Sequence, residues 1–226
     1  MRYINKIGYE IEGVWRNNFG QIEDKIGGDF TGDGSLEFND SDADDLGMDY
    51  DYFWDKCEIQ EYRSNPRCSI GRIAKDLSII KRYFEGANES CGFHIHVSFK
   101  KDAIFSCLAS KEFTDYFVKK IAEIYPAMFR DRAGNHFCEP TIRTKKEVIY
   151  DFLVGEGNRY KAVNFNARVK HSTVEFRIFD MNINDCLKYI KSTIMIIQNY
   201  LDKALEKNRV IQKTIPLPIT KKIIYV

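Results

Sequence analysis

No run of apolar residues in this 226-residue chain approaches the roughly 20 that a membrane-spanning helix needs. The opening residues Met1-Arg2-Tyr3-Ile4-Asn5-Lys6 carry no apolar signal core. Net charge is close to zero, at +1, which disfavours nucleic acid as a partner because phosphate backbones are met by strongly basic surfaces. None of the six cysteines (Cys57, Cys68, Cys91, Cys107, Cys138 and Cys186) forms a C-x-x-C pair, so a zinc knuckle is not expected. A chain of this length needs no disulfide staples, and the thiols read as reduced and mostly buried. No internal repeat and no linker divides the sequence. These absences predict one cytoplasmic domain over residues 1–226, with a hydrophobic content of 44% that suffices for a sizeable core.

The near-neutral total hides an asymmetry. Residues 23–51 hold eleven Asp and Glu against one Lys. Turn formers crowd the same stretch, so Asp40–Asp45, and the acidic segment at about 38–52 around it, read as a solvated loop. Helical periodicity marks three segments: Ile70, Ile73, Leu77, Ile80 and Phe84; Phe113, Phe117, Ile121, Ile124 and Met128; and Leu187, Ile190, Ile194, Ile197, Leu201 and Leu205. For the first, Ser64-Asn65-Pro66 is a start signal and Gly86 a stop. Period-two alternation marks Ile7–Glu12, Cys91–Phe99 and Thr173–Asp180, and more weakly Cys57–Tyr62 and Tyr160–Asn166. Strands and helices do not alternate regularly. The expected fold is therefore α+β, a mainly antiparallel sheet with helices packed on one face.

The polar faces of those strands are chemically specific. Glu10 and Glu12, His94 and His96, and Glu175 and Arg177 each stand two residues apart on one side of a strand. Each pair alone has an ordinary structural explanation. If the strands are neighbours, however, three carboxylates, two imidazoles and an arginine converge, and carboxylates so placed repel unless a cation sits among them. Oxygen donors with an imidazole suit Mg²⁺ or Mn²⁺, whereas thiolates would have suggested zinc.

Five motifs in order carry a family resemblance. Ser90-Cys91-Gly92-Phe93-His94-Ile95-His96-Val97-Ser98 resembles the Gly-x-His-x-His strand of glutamine synthetases and their relatives. Ile7–Glu12 is similar to the G-x-E-x-E strand that opens that superfamily, and Gly32-Asp33-Gly34-Ser35-Leu36 to its D-G-S turn. Glu61-Tyr62-Arg63-Ser64-Asn65-Pro66 resembles the E-x-x-S-P-P segment, with Asn65 in place of the first proline. Arg159-Tyr160-Lys161-Ala162-Val163-Asn164, followed by Thr173–Arg177, resembles the R-Y-x-A-x-N…T-x-E-x-R block. Over about residues 5–205 the order and spacing resemble the amidoligase family, a compact branch of the glutamine synthetase and glutamate–cysteine ligase superfamily.

The resemblance implies a glutamine synthetase-like sheet with the ionisable residues on its concave face. It also implies an ATP-dependent ligase that joins a carboxylate to an amine through an acyl phosphate. By resemblance Glu10, His94 and Glu175 hold one Mg²⁺ or Mn²⁺, and Glu12 and Glu61 help hold a second. Glu58 stands as an alternative to Glu61, since the two fall on opposite faces of a regular strand. His96 contacts the ATP phosphates. Arg177 binds the γ-phosphate or the substrate carboxylate, with Arg159 a second phosphate candidate, Asn164 a positioning residue and Asp33 on the amine side. The basic segment at about 130–146, with Arg130, Arg132, His136, Arg143, Lys145 and Lys146, matches none of these motifs; it reads first as solvated, with binding of a polyanionic substrate or ATP as the alternative. His136 and His171 read as structural. Competing readings are a phosphotransferase of the guanidino-kinase type, a silent scaffold retaining the fold, and a metal-dependent hydrolase. Small-molecule or peptide carboxylates and amines are the expected partners, and a monomer or homodimer the expected assembly.

Overall fold

The fold was analysed in a computed structural model that describes residues 1–133, 138–139, 145–154 and 160–214. Strands β1 (Ile4–Arg16), β2 (Asp29–Thr31), β3 (Cys57–Arg63), β4 (Phe84–Gly86), β5 (Gly92–Phe99), β6 (Val163–Asn164) and β7 (Val174–Asp180) form one sheet. Its order is β2-β3-β1-β5-β7-β6, with β4 pairing the far end of β1. All the pairings are antiparallel. The expected α+β class with an antiparallel sheet is what the chain adopts.

One face of the sheet is apolar because the period-two pattern puts it there. Ile7, Tyr9 and Ile11 of β1, Tyr62 of β3, Phe93, Ile95 and Val97 of β5, and Val174 and Phe176 of β7 are all buried in one core. Three helices cover that core: α4 (Ile70–Ile80), α6 (Lys111–Ile124) and α10 (Cys186–Thr214). They bring in Ile73, Leu77 and Ile80, then Phe113, Phe117 and Ile121, then Ile190, Ile197 and Leu201. Trp15 closes one end, edge-on to Phe30 and Phe84 at 5.0 and 5.1 Å, with its indole N–H donating to the Gln60 carbonyl at 2.9 Å. No helix among the described residues is long and apolar enough to cross a membrane.

Four expectations about local structure are corrected. Asp40–Asp45 is a helix, α2, and Tyr50–Lys56 a second, α3. A capping box explains α2. Asn39 Oδ1 accepts from the Ser41 N–H at 2.9 Å, and Asp42 Oδ2 accepts from the Asn39 N–H at 2.6 Å. The acidic residues also suit the positive end of the helix dipole. Ala43 and Phe53 pack on Val14, with Leu46 and Ile59 against them. Val14 and Ile59 continue the face of Glu12 and Glu61. Helices therefore cover both faces of the sheet, not one.

Helix α4 starts after Ser69, which makes no side-chain cap, and not at Ser64, whose hydroxyl accepts the Tyr9 N–H at 2.7 Å. Phe84 and Gly86 do not end that helix; they form β4 against Val14 and Trp15. The run from Phe113 to Met128 breaks at Tyr125, and α7 (Pro126–Ala133) begins on the proline, which supplies no N–H and disfavours helix at the residue before it. After the break Arg132 of α7 is buried while Arg130 stays exposed.

Candidate functional site

Antiparallel register assembles the polar face. Glu10 pairs with His94, and Glu12 with Glu61. His96 stands opposite Glu175, and Glu175 opposite Asn164. The β5–β7 register shifts by one residue between Phe93, opposite Phe179, and Ile95, opposite Phe176. Residues far apart in sequence thus share one surface on five neighbouring strands. Glu61 is buried on this face, whereas Glu58 is exposed. Glu61 therefore stands with the cluster and Glu58 outside it.

His94 is the centre of the cluster. Its Nδ1 lies 3.0 Å from Glu10 Oε2 and 3.6 Å from Glu175 Oε1, and its Nε2 lies 3.6 Å from Glu12 Oε1. His96 Nδ1 is 3.1 Å from the Thr173 hydroxyl. Its Nε2 is buried, 3.1 Å from Glu10 Oε1 and 4.0 Å from Glu175 Oε1, without a well-aligned hydrogen bond. Glu175 Oε1 accepts from Arg177 Nη1 at 2.5 Å, and its Oε2 accepts from Asn164 Nδ2 at 2.7 Å. Arg177 Nη1 therefore pairs with Glu175. Asn164 does the same from the other side. Asp33 joins Glu12 and Glu61, and one of its oxygens accepts both the N–H and the hydroxyl of Ser35, at 2.8 and 2.7 Å. Arg159, His136 and Arg143 lie outside the described residues.

Charge and burial pull these groups in different directions. Burial opposes ionisation of Glu10, but the hydrogen bond to His94 and the close His96 imidazole outweigh it and hold Glu10 well below the usual carboxylate range. Burial also opposes the charge of Glu175, and Arg177 with the two histidines brings it down. Burial disfavours a charged His96, yet Glu10 and Glu175 push its pKa up. Glu61 goes the other way. Burial, then the charge of Glu10, raise it to about 7 despite Arg63 at 2.5 Å.

That shift carries a pH signature. In the unfolded chain Glu61 ionises near 4.5, and in the fold near 7. The fold holds this proton more tightly, so the stability Glu61 contributes is fully present below 4.5 and is lost as pH rises towards about 7. Glu61→Gln cannot ionise. At pH 8 in chelator it is expected to be more stable than wild type, by on the order of 2–3 kcal/mol, with no gain at pH 4. Urea unfolding at the two pH values measures this, and a variant less stable than wild type at pH 8 contradicts it.

Among the described residues, three overlapping groups offer ligand atoms within 4.8 Å of one another: Glu10, His96 and Glu175; Glu10, Glu61 and His94; and Glu12, Asp33 and Glu61. Carboxylate oxygens, joined by one imidazole in each of the first two groups and by none in the third, form a donor set that suits a hard divalent cation. The mutual repulsion of Glu10 and Glu61 fits such an ion equally. The residues present are therefore compatible with bound Mg²⁺ or Mn²⁺.

Two residues near the cluster escaped the sequence reading. Arg132, placed in a solvated basic segment, is only 4% exposed. Its signal was helical spacing, since it lies one turn after the buried Met128 on α7. His171, read as structural, ends α9 (Ala167–His171) with its ring edge-on to His96 at 6.0 Å. No local pattern announces that contact.

No curated protein matches this chain. A family profile does, over residues 64–197, and its description is "putative amidoligase enzyme". The matched segment includes His94, His96, Asn164, Glu175 and Arg177, while Glu10, Glu12, Asp33 and Glu61 precede it and reach the same surface through β1, β3 and the loop after β2. With more than half its length matched, the chain belongs to this amidoligase family.

Proposed function

We propose that this chain is an ATP-dependent carboxylate–amine ligase. The γ-phosphoryl group of ATP passes to a substrate carboxylate oxygen, giving an acyl phosphate and ADP. The amine then attacks the acyl carbon, the C–O bond to phosphate breaks, and the amine loses a proton as the amide forms. The observation that carries this reading is the convergence of three carboxylate-rich ligand groups on one sheet face, in a chain whose family is named for amide-bond formation.

In this reading Glu10, His94 and Glu175 hold one divalent cation, within reach of His96. Glu12 and Glu61, with Asp33 beside them, hold a second. Such ions, when bound, neutralise charge on phosphate oxygens during transfer. Arg177 and Asn164 fix the Glu175 carboxylate between them, so that its orientation is set before any ligand arrives. His96, held at Nδ1 by Thr173, presents Nε2 as a donor towards phosphate oxygen. Asp33 and its carboxylate neighbours attract an ammonium nucleophile and accept its proton.

Calorimetric titration of ATP with and without Mg²⁺ tests the nucleotide step, followed by ADP release with and without added amines and carboxylates. Mg²⁺-dependent binding, and ADP release that requires both co-substrates, is the expected result. Absence of ATP binding under either condition rejects the ligase reading.

A further inference from the structure

We propose that Arg132 is the oxyanion-binding residue of this site, taking a carboxylate or phosphoryl group on the free side of its guanidinium. Arginine stays charged in proteins, and a buried charge without a counter-charge is costly. Arg132 is 4% exposed, yet among the described residues its guanidinium makes two hydrogen bonds, both from Nη1 to backbone carbonyls: Cys91 at 3.1 Å and Glu89 at 3.3 Å, while its own carbonyl accepts from the Cys138 thiol at 3.3 Å. Nε is fully buried and has no partner. Those two bonds anchor one end of the planar group and leave the Nε–Nη2 edge uncommitted. That edge is the fork that pairs bidentately with a carboxylate or a phosphate.

The fork stands at the metal-type cluster. A methyl group placed on Gly92 would lie 3.1 Å from Arg132 Nη2, 2.8 Å from His94 Nε2 and 3.3 Å from Glu12 Oε2. Guanidinium, imidazole and carboxylate therefore crowd around one point above the Gly92 backbone, and the absence of a side chain there keeps that point open. Glu12 Oε2 is already occupied by the Gly92 N–H at 2.6 Å, so it is not pulled across to neutralise the arginine. Arg177 is a weaker candidate for the same task, because its Nη1 is committed to Glu175. An anion seated between Arg132 and cations on the carboxylates would be held from both sides. The identity of the anion as a substrate group rests on the ligase reading; its binding by Arg132 does not.

The test uses the full chain in three forms, wild type, Arg132→Met and Arg132→Lys, in buffer with Mg²⁺. Inorganic phosphate and, separately, succinate are titrated by calorimetry, and melting is recorded without either anion. Wild type is expected to bind at least one of the two. Arg132→Met is expected to bind it about tenfold or more weaker, with Arg132→Lys between, because lysine restores charge but not the fork. Phosphate alone identifies a phosphoryl subsite, and succinate alone a carboxylate subsite. Arg132→Met is also expected to melt no lower than wild type, since it removes an unpaired buried charge at similar volume. Equal binding of both anions by wild type and Arg132→Met overturns the proposal, as does binding of neither by wild type. A variant that melts well below wild type, with Arg132→Lys restoring the loss, overturns it by making the residue structural. If anion binding tracks Arg132 but ATP is never turned over, the clamp stands and the ligase reading falls. If Arg132→Met turns over ATP with wild-type rate and KM, the reverse holds.

Discussion

Glu10→Gln is expected to lower ATP-dependent ADP release by about a thousandfold while leaving the chain folded. Glu10 belongs to two of the three ligand groups, and both its oxygens face imidazoles, at 3.0 and 3.1 Å. Glutamine keeps the length and planarity of the side chain and one acceptor oxygen. It loses the charge that a divalent cation needs. A cation that stabilises transferring phosphate contributes several kcal/mol, and roughly 4 kcal/mol corresponds to about three powers of ten in rate. The same substitution removes the charge that helps push Glu61 up, so relief of repulsion offsets part of the lost hydrogen bonding. Steady-state ADP release at saturating Mg²⁺, with a melting curve alongside, measures both effects. Turnover within about tenfold of wild type would place the chemistry elsewhere, and an unfolded variant would make Glu10 a structural residue.

Phe176→Ala is expected to do the opposite: a large loss of stability with the site's chemistry intact below the melting transition. Phe176 is the next residue after Glu175 on β7 and points into the core, fully buried. Its ring packs 4.5 Å from that of Phe117 and lies edge-on to Phe113 at 6.4 Å, so it joins the sheet to α6. Truncation removes the transfer free energy of a phenyl ring and leaves a cavity that two aromatic neighbours cannot collapse into. Such changes cost about 3–5 kcal/mol. In a domain of this size that lowers the melting temperature by roughly 6–20 °C. Urea or thermal unfolding reads it directly. A loss under about 1 kcal/mol would show that the core on this side of the sheet is loosely packed.

These two outcomes separate what local sequence encodes from what it does not. The alternation Val174-Glu175-Phe176-Arg177 is visible without a structure, and it correctly divides the apolar core face from the ionisable face. The same holds for Ile7–Glu12 and Cys91–Phe99, where the side-chain period of a strand is two and one face must be apolar. The principal helices were legible for the same reason, with a period of 3.6 instead. The failures came where a residue had a competing partner. Ser64 reads as a helix start but binds the backbone of β1. Asp40–Asp45 reads as a solvated run, yet Asn39 and Asp42 cap each other and Ala43 reaches Val14. Charge counting sees only the carboxylates in that stretch, not the apolar residue every few positions that pins it down.

The sequence alone determined that strands bearing Glu10 and Glu12, His94 and His96, and Glu175 and Arg177 each present ionisable pairs on one side, and it pointed to the amidoligase family. Only the tertiary structure decided which of those pairs meet, because strand order and register are set by long-range pairing. It put Glu61 into the cluster and Glu58 outside it. It joined Asp33 to Glu12 and Glu61, and it committed Arg177 to Glu175. It also brought Arg132 in from a segment that reads as solvent-facing. Side-chain alternation is a property of a few consecutive residues, whereas the neighbours of a buried charge are supplied by elements tens of residues away.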